Sequence, residues 1–329
     1  MKKIVFDKRW EGGHGIGRFS SEITKKIDFD SYIKVNVKPT SPLDIFVTPW
    51  YLFFNSSLCF TPRFNTTWFF VSRSIITIRD LNHIDIRRND SFLKTVYYDF
   101  VLKRACKKSL LIFTVSEFSK KRIAEWAGVS SDKIVVVGNG VAKEFRPDGD
   151  AYQPGYKYFL CVSNRKLHKN EERLIKAYSM IKEREGIKLL LTGKETPELK
   201  KYIVSLGLSE DVVFTGYIDD ENLPSYYRGA KALLMPSLYE GFGLPVIEAM
   251  ACGIPTLASN TTALKEIAEG YSVLVDPESA DDIARGIKSL INDEVLLTDL
   301  QVKGLNRAKK FTWDKTVNSI NQSLATLRE

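Results

Sequence analysis

The chain has 329 residues, of which 44% are apolar, and this is enough to fill two hydrophobic cores at the usual domain size of about 100 to 200 residues. Its four cysteines lie far apart, with neither a C-x-x-C pair nor a disulfide-like spacing, which excludes a disulfide framework and favours reduced, cytosolic thiols. Charged residues interrupt the N-terminus before any long apolar segment, so we expect neither a signal peptide nor a transmembrane helix.

The net charge of +8 is unevenly distributed. Residues 1–150 hold 25 Lys and Arg against 16 Asp and Glu, whereas residues 151–329 hold 23 against 24. Basic clusters at Lys103-Arg104, Lys107-Lys108 and Lys120–Arg122 form either a solvated helix face or a face attracted to anionic lipid or to a phosphate-bearing acceptor. They lack nucleic-acid motifs and interleaved stacking aromatics, so nucleic acid is not predicted as a partner.

The first half predicts an open α/β sheet. A strand at Lys3–Phe6 precedes the glycine loop Gly12–Gly17 and a helix from Arg18 to about Ile27. The acidic residue that a dinucleotide-binding loop needs about 20 residues on is not clearly placed, so we do not predict a nicotinamide enzyme. Further buried strands are predicted at Asp44–Val47, Trp68–Val71, Ile75–Ile78, Leu111–Val115 and Ile134–Val137.

Aromatic residues crowd the stretch from position 46 to 70. We expect most of them to be core, and the alternative is that some lie on an exposed loop in contact with lipid or an acceptor sugar. The stretch contains Phe46, Trp50, Tyr51, Phe53, Phe54, Phe60, Phe64, Trp68, Phe69 and Phe70.

The second half restarts the α/β alternation after a polar linker, Asp148–Gly155, which is broken by Gly and Pro. We therefore predict domains at 1–150 and 151–310, followed by a terminal helix at 311–329. Two such sheets hold ligands at the carboxyl ends of their strands. Strands of the second sheet are predicted at Lys157–Val162, Ile187–Thr192, Val212–Thr215, Ala232–Met235, Pro255–Ala258 and Val273–Val275.

The most informative motif is Glu240-Gly-Phe-Gly-Leu-Pro-Val-Ile-Glu248, which follows a buried strand and opens a helix. Gly241 and Gly243 let the backbone approach a ligand closely. Glu248 lies in or near the first helical turn, where its carboxylate suits a vicinal diol such as a ribose, and the N–H groups at the helix start favour a diphosphate. Taken alone, this spacing is more typical of an acid at a strand end and an acid that favours the helix dipole.

The sequence around this motif reverses that preference. The passages Val212–Tyr217, Tyr239–Ser259 and Val273–Pro277 closely resemble the family 4 retaining glycosyltransferases, in the mannosyltransferase-like subgroup of bacterial polysaccharide and O-antigen assembly. Phe113–Arg122 and Asn164–Asn170 extend the resemblance over nearly the whole chain. It implies the GT-B fold, two facing Rossmann-like domains with a cleft between them and a last helix that crosses back to the first.

The resemblance also implies residue roles. Glu240 is expected to contact the hydroxyls of the transferred sugar, Glu248 the ribose hydroxyls, and Lys169 the diphosphate, where its charge offsets that of the leaving group. Arg165 is expected to join Glu240 and Lys169 in catalysis. The remaining donor contacts implied are Asn164, Gly241, Phe242, Gly243 and Leu244, with Gly15 and Gly17 from the loop of the first domain.

Three positions depart from the family's pattern. Arg79-Asp80-Leu81, with His83 nearby, stands where the family often has His-Asp, and we predict these polar residues as acceptor-side or phosphate contacts, with Arg79 taking over such a contact. Asn164 followed by Arg165 stands where many members have an arginine before the loop lysine, so the source of the second cation is open. Gly138-Asn139-Gly140 replaces the usual Pro-Asn-Gly.

No metal or other cofactor is expected. Asp28-Phe-Asp30 has the D-x-D spacing of metal-dependent transferases, but it follows the first helix and is interpreted as surface. His14, His83 and His168 lack zinc-like partners. The sequence shows no carboxylate nucleophile for a double displacement, and the resemblance implies a same-face substitution in which the departing phosphate takes the acceptor proton.

The resulting hypothesis is a cytosolic transferase, peripheral on the inner face of the membrane, that moves a hexose from a nucleotide-sugar to a glycan or polyprenyl-linked glycan acceptor. GDP-mannose is the preferred donor by subgroup resemblance, and dTDP-deoxyhexose and UDP-hexose are alternatives. Two rivals stay open. One is another GT-B activity, a sugar-nucleotide epimerase or a phosphorylase, and the other is a non-catalytic glycan-binding module.

Overall fold

The computed structural model describes residues 2–12, 15–33, 35, 37, 41, 44–54, 57–64, 68–86 and 97–328. Internal contacts divide the chain into two compact units, one formed by Met1–Gly140 with Trp313–Glu329 and the other by Val141–Thr312. Each unit contains one six-stranded sheet in which all neighbouring strands are parallel.

The sheet of the first unit has the strand order β2-β1-β3-β4-β5-β6. Most of its strand residues are buried, as expected for a parallel sheet that is covered on both faces. The strands are β1 Ile4–Asp7, β2 Ser31–Ile33, β3 Leu58–Thr61, β4 Ser74–Thr77, β5 Leu111–Thr114 and β6 Ile134–Val136. The helices are α1 Gly15–Lys26, α2 Asp44–Phe54, α3 Asn82–Asp85, α4 Lys103–Lys108, which continues a π-helical segment at Tyr97–Leu102, and α5 Glu117–Ala127, with short 3-10 turns at Lys8–Trp10, Val71–Arg73 and Ser131–Lys133.

The predicted strand at Asp44–Val47 is wrong, because these residues begin helix α2. Asp44, Thr48, Pro49 and Leu52 are buried, and the spacing of four between Asp44, Thr48 and Leu52 is close to the helical period. A short apolar run does not distinguish a strand from a helix. Asp44 is held by the guanidinium of Arg9, whose Nη1 lies 2.6 Å from Oδ1 of the carboxylate.

The predicted strand at Trp68–Val71 is also wrong. Phe70 has a left-handed backbone with φ 59°, and the chain turns at once into the 3-10 turn Val71–Arg73. This backbone cannot join a ladder. The two strands that the sequence analysis missed, β2 and β3, lie on either side of β1.

The second unit has the strand order β12-β11-β10-β7-β8-β9, and each strand lies within a residue or two of its predicted position. The strands are β7 Tyr158–Cys161, β8 Lys188–Leu191, β9 Val212–Phe214, β10 Ala232–Met235, β11 Thr256–Ser259 and β12 Val273–Val275. The helices are α6 Glu171–Ser179, α7 Pro197–Ser205, α8 Leu223–Gly229, α9 Leu244–Ala251, α10 Thr262–Ala268, α11 Ala280–Asn292 and α12 Glu294–Ala308, with a 3-10 turn at Leu167–Lys169.

Residues 141–150, which the sequence analysis assigned to the first domain, pack in the second unit. The side chain of Arg228 donates to the carbonyl oxygens of Glu144, Arg146 and Asp150. The ring of Phe145 meets that of Tyr227 edge to face, with 5.6 Å between centroids. The composition break at Asp148–Gly155 therefore follows the change of unit instead of marking it.

The last helix, α13 Trp313–Arg328, belongs to the first unit. Trp313, Val317, Ile320 and Leu324 lie on one face of the helix and join the core around Phe19. Across the described part of the chain, no helix combines the length and apolar character needed to cross a bilayer. The α/β class predicted from the sequence is confirmed by the two parallel sheets with their flanking helices.

Helix α13 should make a measurable contribution to the stability of the first unit. We expect Ile320→Ala to lower its free energy of unfolding by about 2 to 5 kcal/mol, because the side chain is fully buried and leaves a cavity. Urea unfolding measures the change. Asn318→Ala on the exposed side of the helix is the control and should change stability by less than about 0.5 kcal/mol. Equal effects of the two variants would contradict this packing.

Candidate functional site

In the second unit, the glycine-containing loop Gly241–Gly243 leads directly into the N-terminus of α9. Gly243 caps the helix with φ 107°, a conformation that favours glycine, and a Cβ there would lie 2.5 Å from Cδ2 of Leu264. Pro245 occupies the first turn, where its missing N–H costs nothing. The first N–H groups of a helix have no partner within it, so this end suits an anion such as a diphosphate.

An ion pair lies beside this loop. The ammonium of Lys169 is 2.7 Å from Oε1 of Glu240, and both side chains are largely buried. Lys169 ends the 3-10 turn after β7, and Glu240 lies in the loop after β10. The two strands are neighbours in the sheet, so residues 71 positions apart in sequence meet at one edge. The structure therefore brings together the two residues predicted to hold the sugar and the diphosphate.

Asn170 fixes the loop that carries Lys169. Its backbone is left-handed, with φ 60°, and its buried amide donates to the carbonyl oxygens of Pro236 at 2.8 Å and Pro277 at 2.7 Å. Arg173 donates to Oδ1 of Asn170 at 2.7 Å. The loop is thus tied to the segments that follow β10 and β12. This role of Asn170 could not be predicted from the sequence, because no local pattern shows that an asparagine reaches two carbonyl groups more than 60 residues away.

Arg165 contacts the protein on several sides. Its guanidinium pairs with Glu171, donates to the carbonyls of Lys194 at 2.9 Å and Thr192 at 2.5 Å, and lies 4.9 Å from the ring of Phe214. Its positive charge lies in the same unit as Lys169 but is shared with these partners. The catalytic role of Arg165 stays a prediction. The donor contact of Asn164, its exposed neighbour, also stays a prediction.

Glu248 is buried in α9, where its carboxylate receives a hydrogen bond. Tyr227, on α8, donates its hydroxyl to Oε2 of Glu248 at 2.9 Å. Both side chains are buried, and Phe145 packs edge to face on Tyr227. This bond orients the carboxylate that is predicted to bind ribose. Tyr227 was not predicted as a site residue, because its partner is on another helix and no local spacing relates the two.

In the first unit, Arg79 braces the start of α1. Its Nη1 donates to the carbonyl of Gly15 at 2.6 Å, and its Nη2 to Oδ1 of Asn139 at 3.2 Å. Burial lowers the pKa of Arg79 to about 10, which still leaves it charged at neutral pH. At Gly17 a Cβ would overlap the backbone of Gly12, so this close approach requires glycine. The helix predicted from Arg18 begins earlier, at Gly15, so Gly15 and Gly17 belong to its first turn instead of the loop, and Gly13-His14 lies outside the described residues.

The two other predicted polar residues of this unit have local contacts. Oδ1 of Asp80 accepts from the backbone N–H of Asn82 at 3.0 Å, at the start of α3. The ring of His83 stacks on that of Tyr98, with centroids 6.2 Å apart. Of the first-unit residues predicted from the sequence, the structure brings Arg79 and Gly15 into direct contact.

The described part of the chain holds neither a metal-binding cluster nor a reactive thiol. Within the described ranges, no group of three or more His, Cys, Asp or Glu is arranged to hold a metal ion. The four cysteines are buried and free, and burial raises the pKa of Cys106, Cys161 and Cys252 to about 12. These thiols are therefore protonated at neutral pH and are poor nucleophiles.

Comparison with known proteins identifies the class of this protein. The model of the family glycosyl transferases group 1 matches residues 143–310, about half the chain and nearly all of the second unit. The chain therefore belongs to this family, and the resemblance to the family 4 glycosyltransferases of O-antigen assembly is confirmed.

Among its relatives, the chain is 29% identical over 266 residues to the O-antigen chain mannosyltransferase B of Escherichia coli, which covers 76% of this chain and 70% of the relative. It is 31% identical over 224 residues to the serotype-specific mannosyltransferase WbdA of Escherichia coli, covering 63% of this chain but only 28% of that protein. The solved structure of Anabaena HepE in complex with UDP and glucose matches with a TM-score of 0.77, 16% identity and coverage of 99% and 100%. The likeness confirms the GT-B fold.

The hydrogen bond from Tyr227 should influence nucleotide binding. We expect Tyr227→Phe to weaken the binding of a nucleoside diphosphate by about threefold to tenfold, because the ring still packs but the carboxylate of Glu248 loses the hydrogen bond from this hydroxyl. Titration calorimetry measures the dissociation constant. Tyr226→Phe on the same helix is the matched control and should bind as the parent does. Equal affinity of the parent and Tyr227→Phe would show that this bond does not orient Glu248.

Proposed function

We propose that the protein transfers mannose from GDP-mannose to a glycan or polyprenyl-linked glycan acceptor in surface polysaccharide synthesis, with retention of configuration and without a metal ion. Family membership and the mannosyltransferase names of its relatives support mannose as the transferred sugar. A structural neighbour solved with UDP and glucose supports a nucleotide-sugar donor. The observation that carries the proposal is the convergence of Lys169, Glu240 and the glycine-capped start of α9 at one sheet edge.

The Lys169–Glu240 pair gives this site a defined resting state. The two charges compensate each other at 2.7 Å, which avoids leaving either one unpaired in a largely buried place. In the proposed complex the diphosphate takes Lys169 as its counterion, and Glu240 turns to the hydroxyls of the sugar. Donor binding thus exchanges one pair of polar contacts for two. The negative charge that develops on the leaving phosphate then meets a cation already in position.

The N-terminus of α9 completes the phosphate contact in this proposal. The backbone around Phe242, Gly243 and Leu244 approaches the diphosphate, and Glu248 accepts hydrogen bonds from the ribose. We propose that the departing phosphate takes the proton of the acceptor hydroxyl on the same face of the sugar. This route needs no carboxylate nucleophile, and Glu240 is left to bind hydroxyl groups. Arg79 and the start of α1 at Gly15 are proposed to contact the acceptor.

The acceptor places the proposed reaction at a membrane. A polyprenyl-linked glycan presents its growing end at the lipid surface, so we propose that the protein works on the cytosolic side, bound peripherally. The excess of basic residues in the first 150 residues supports attraction to anionic lipid.

The donor is tested by thermal unfolding with a panel of GDP-, UDP-, dTDP- and ADP-sugars in the presence of a chelator. A ligand at about 100 times its dissociation constant adds about 2.7 kcal/mol to the stability of the folded state. We expect GDP-mannose to raise the melting temperature with the chelator present. A shift with a different nucleotide-sugar alone would identify that compound as the donor. Turnover without any acceptor would indicate epimerisation instead of transfer.

The site assignment is tested by two substitutions. Glu248→Ala should weaken nucleotide binding, because the ribose loses its acceptor. Lys169→Ala should lower kcat about 10²-fold to 10³-fold and affect donor affinity less, since its charge matters most as the phosphate leaves. Steady-state kinetics with a labelled donor measure both.

Lys231→Ala is the matched control, because Lys231 is also a largely buried lysine of the second unit, 3.5 Å from Glu294. It should leave kcat within about twofold of the parent. Unchanged kinetics in both Glu248→Ala and Lys169→Ala would refute the site.

A further inference from the structure

Helix α2 turns its aromatic side chains outward. Asp44, Thr48 and Leu52 face the unit and are buried, whereas Phe46, Trp50, Phe53 and Phe54 are 64 to 70% exposed. The expectation that most aromatics of the stretch 46–70 are core is therefore wrong for this part. Further exposed aromatics continue the set, and together we name them the aromatic surface: Phe46, Trp50, Phe53, Phe54, Trp68, Phe69 and Phe100.

Contacts within the first unit connect the segments that carry the aromatic surface. Arg73 donates from Nη2 to the carbonyl of Leu52 at 2.6 Å, which ties the turn after Phe69 to α2. The guanidinium of Arg104, on α4, lies 4.3 Å from the ring of Trp68 and donates to its carbonyl at 2.8 Å. The helical run that contains Arg104 also carries Phe100. Helix α2, the turn at 68–73 and α4 are thus linked in series.

The same helical run supplies positive charge. Between positions 97 and 108 the sequence has one acidic residue, Asp99, and four basic residues: Lys103, Arg104, Lys107 and Lys108. Lys107 and Lys108 are exposed, and Lys103 lies 3.3 Å from Asp99. Basic residues at Lys103–Lys108 therefore lie beside the aromatic surface, and we name this segment the basic flank.

An anionic bilayer surface fits this combination. Single exposed apolar residues are ordinary, but a group of large aromatic side chains on linked segments marks an interaction site. Phe and Trp side chains on one face of a helix, accompanied by basic residues, are typical of helices that lie in the headgroup region of a membrane. A two-fold contact between copies of the chain would pair the aromatic surface with itself, and residues 97–108 hold four basic residues against one acidic residue, so most of these positive charges would gain no acidic counterpart from the flank of the second copy. The basic flank thus argues for lipid over a second copy.

We propose that the aromatic surface inserts into the headgroup region of a bilayer and that the flank at Lys103–Lys108 contacts anionic lipid headgroups. This inference rests on the proposed function in that a lipid-linked acceptor calls for a surface-bound enzyme, but it needs neither the donor nor the catalytic residues. Binding should place the first unit on the membrane by shallow insertion of side chains, with α2 lying parallel to the surface.

Vesicle sedimentation tests the aromatic contribution. The full chain is mixed with vesicles of phosphatidylcholine and phosphatidylglycerol in equal parts, without any sugar donor. We expect Trp50→Ser with Phe53→Ser to weaken binding about tenfold or more, because two exposed rings no longer reach the interface. Val295→Ser with Val302→Ser removes two exposed apolar side chains from α12 and should bind as the parent does.

The charge contribution is separated by lipid composition. Lys107→Gln with Lys108→Gln should weaken binding about fivefold per lysine on the mixed vesicles, and little on phosphatidylcholine alone. Added salt should weaken the binding of the parent more than that of this variant, since fewer charges remain to be screened.

Fluorescence quenching reports insertion directly. Vesicles with brominated acyl chains should quench the emission of the parent, and Trp50→Phe should lose much of that quenching while it still binds, because phenylalanine keeps the apolar contact. Equal vesicle binding by the parent and the Trp50→Ser, Phe53→Ser variant would overturn the inference. If this variant has a lower sedimentation coefficient than the parent in the absence of vesicles, while its lipid binding stays intact, the inference would be overturned in favour of a dimer.

These assays fail independently of the proposed transfer. Mannose transfer to a soluble glycan in the absence of vesicles tests the reaction alone, and the aromatic variant should retain it within about twofold of the parent. Loss of vesicle binding with transfer intact supports the inference. Absence of transfer in the parent, with vesicle binding still dependent on Trp50 and Phe53, would refute the function and leave the membrane surface standing.

Discussion

The parallel arrangement of the second sheet is the constraint from which its site follows. All six strands run the same way, so their carboxyl ends and the loops after them gather at one edge. Because β7 and β10 are neighbours, Lys169 and Glu240 meet there although they are distant in sequence. Asn170 then ties their loops to the segment after β12. The pairing of strands creates the site, and the side-chain bonds fix its geometry.

The sequence predicted this second unit well for a physical reason. Its strands are short apolar runs bounded by polar or glycine-containing loops, and each strand is followed by a helix. The Glu240–Glu248 motif is local, so its loop and helix could be located without knowledge of tertiary contacts. Tyr227 and Asn170 escaped prediction because their bonds join separate elements. Sequence spacing shows what one element presents, and not which distant atom receives it.

The first unit was harder to predict, and α2 shows why. The apolar run after Asp44 is as short as a buried strand, and the helix is evident only from the burial of Asp44, Thr48 and Leu52 at a spacing of four, with Pro49 also buried. The outward direction of Trp50 and Phe53 also contradicts the usual inference from hydrophobicity to core. An apolar side chain lowers the free energy of the system when it leaves water, but it does so in a lipid surface as well as in a protein interior.

The chain leaves the first unit after Gly140 and returns to it at Trp313, so the second unit is an insertion within the first. During synthesis the ribosome completes Val141–Thr312 while the first unit still lacks Trp313, Val317 and Ile320 from its core. Domains generally fold as units as the chain emerges, in N-terminal to C-terminal order. Here the later unit is the first to be complete, and the earlier one closes its core only with the final helix. Termination shortly after Thr312 would therefore leave a complete second unit attached to a first unit whose core is open.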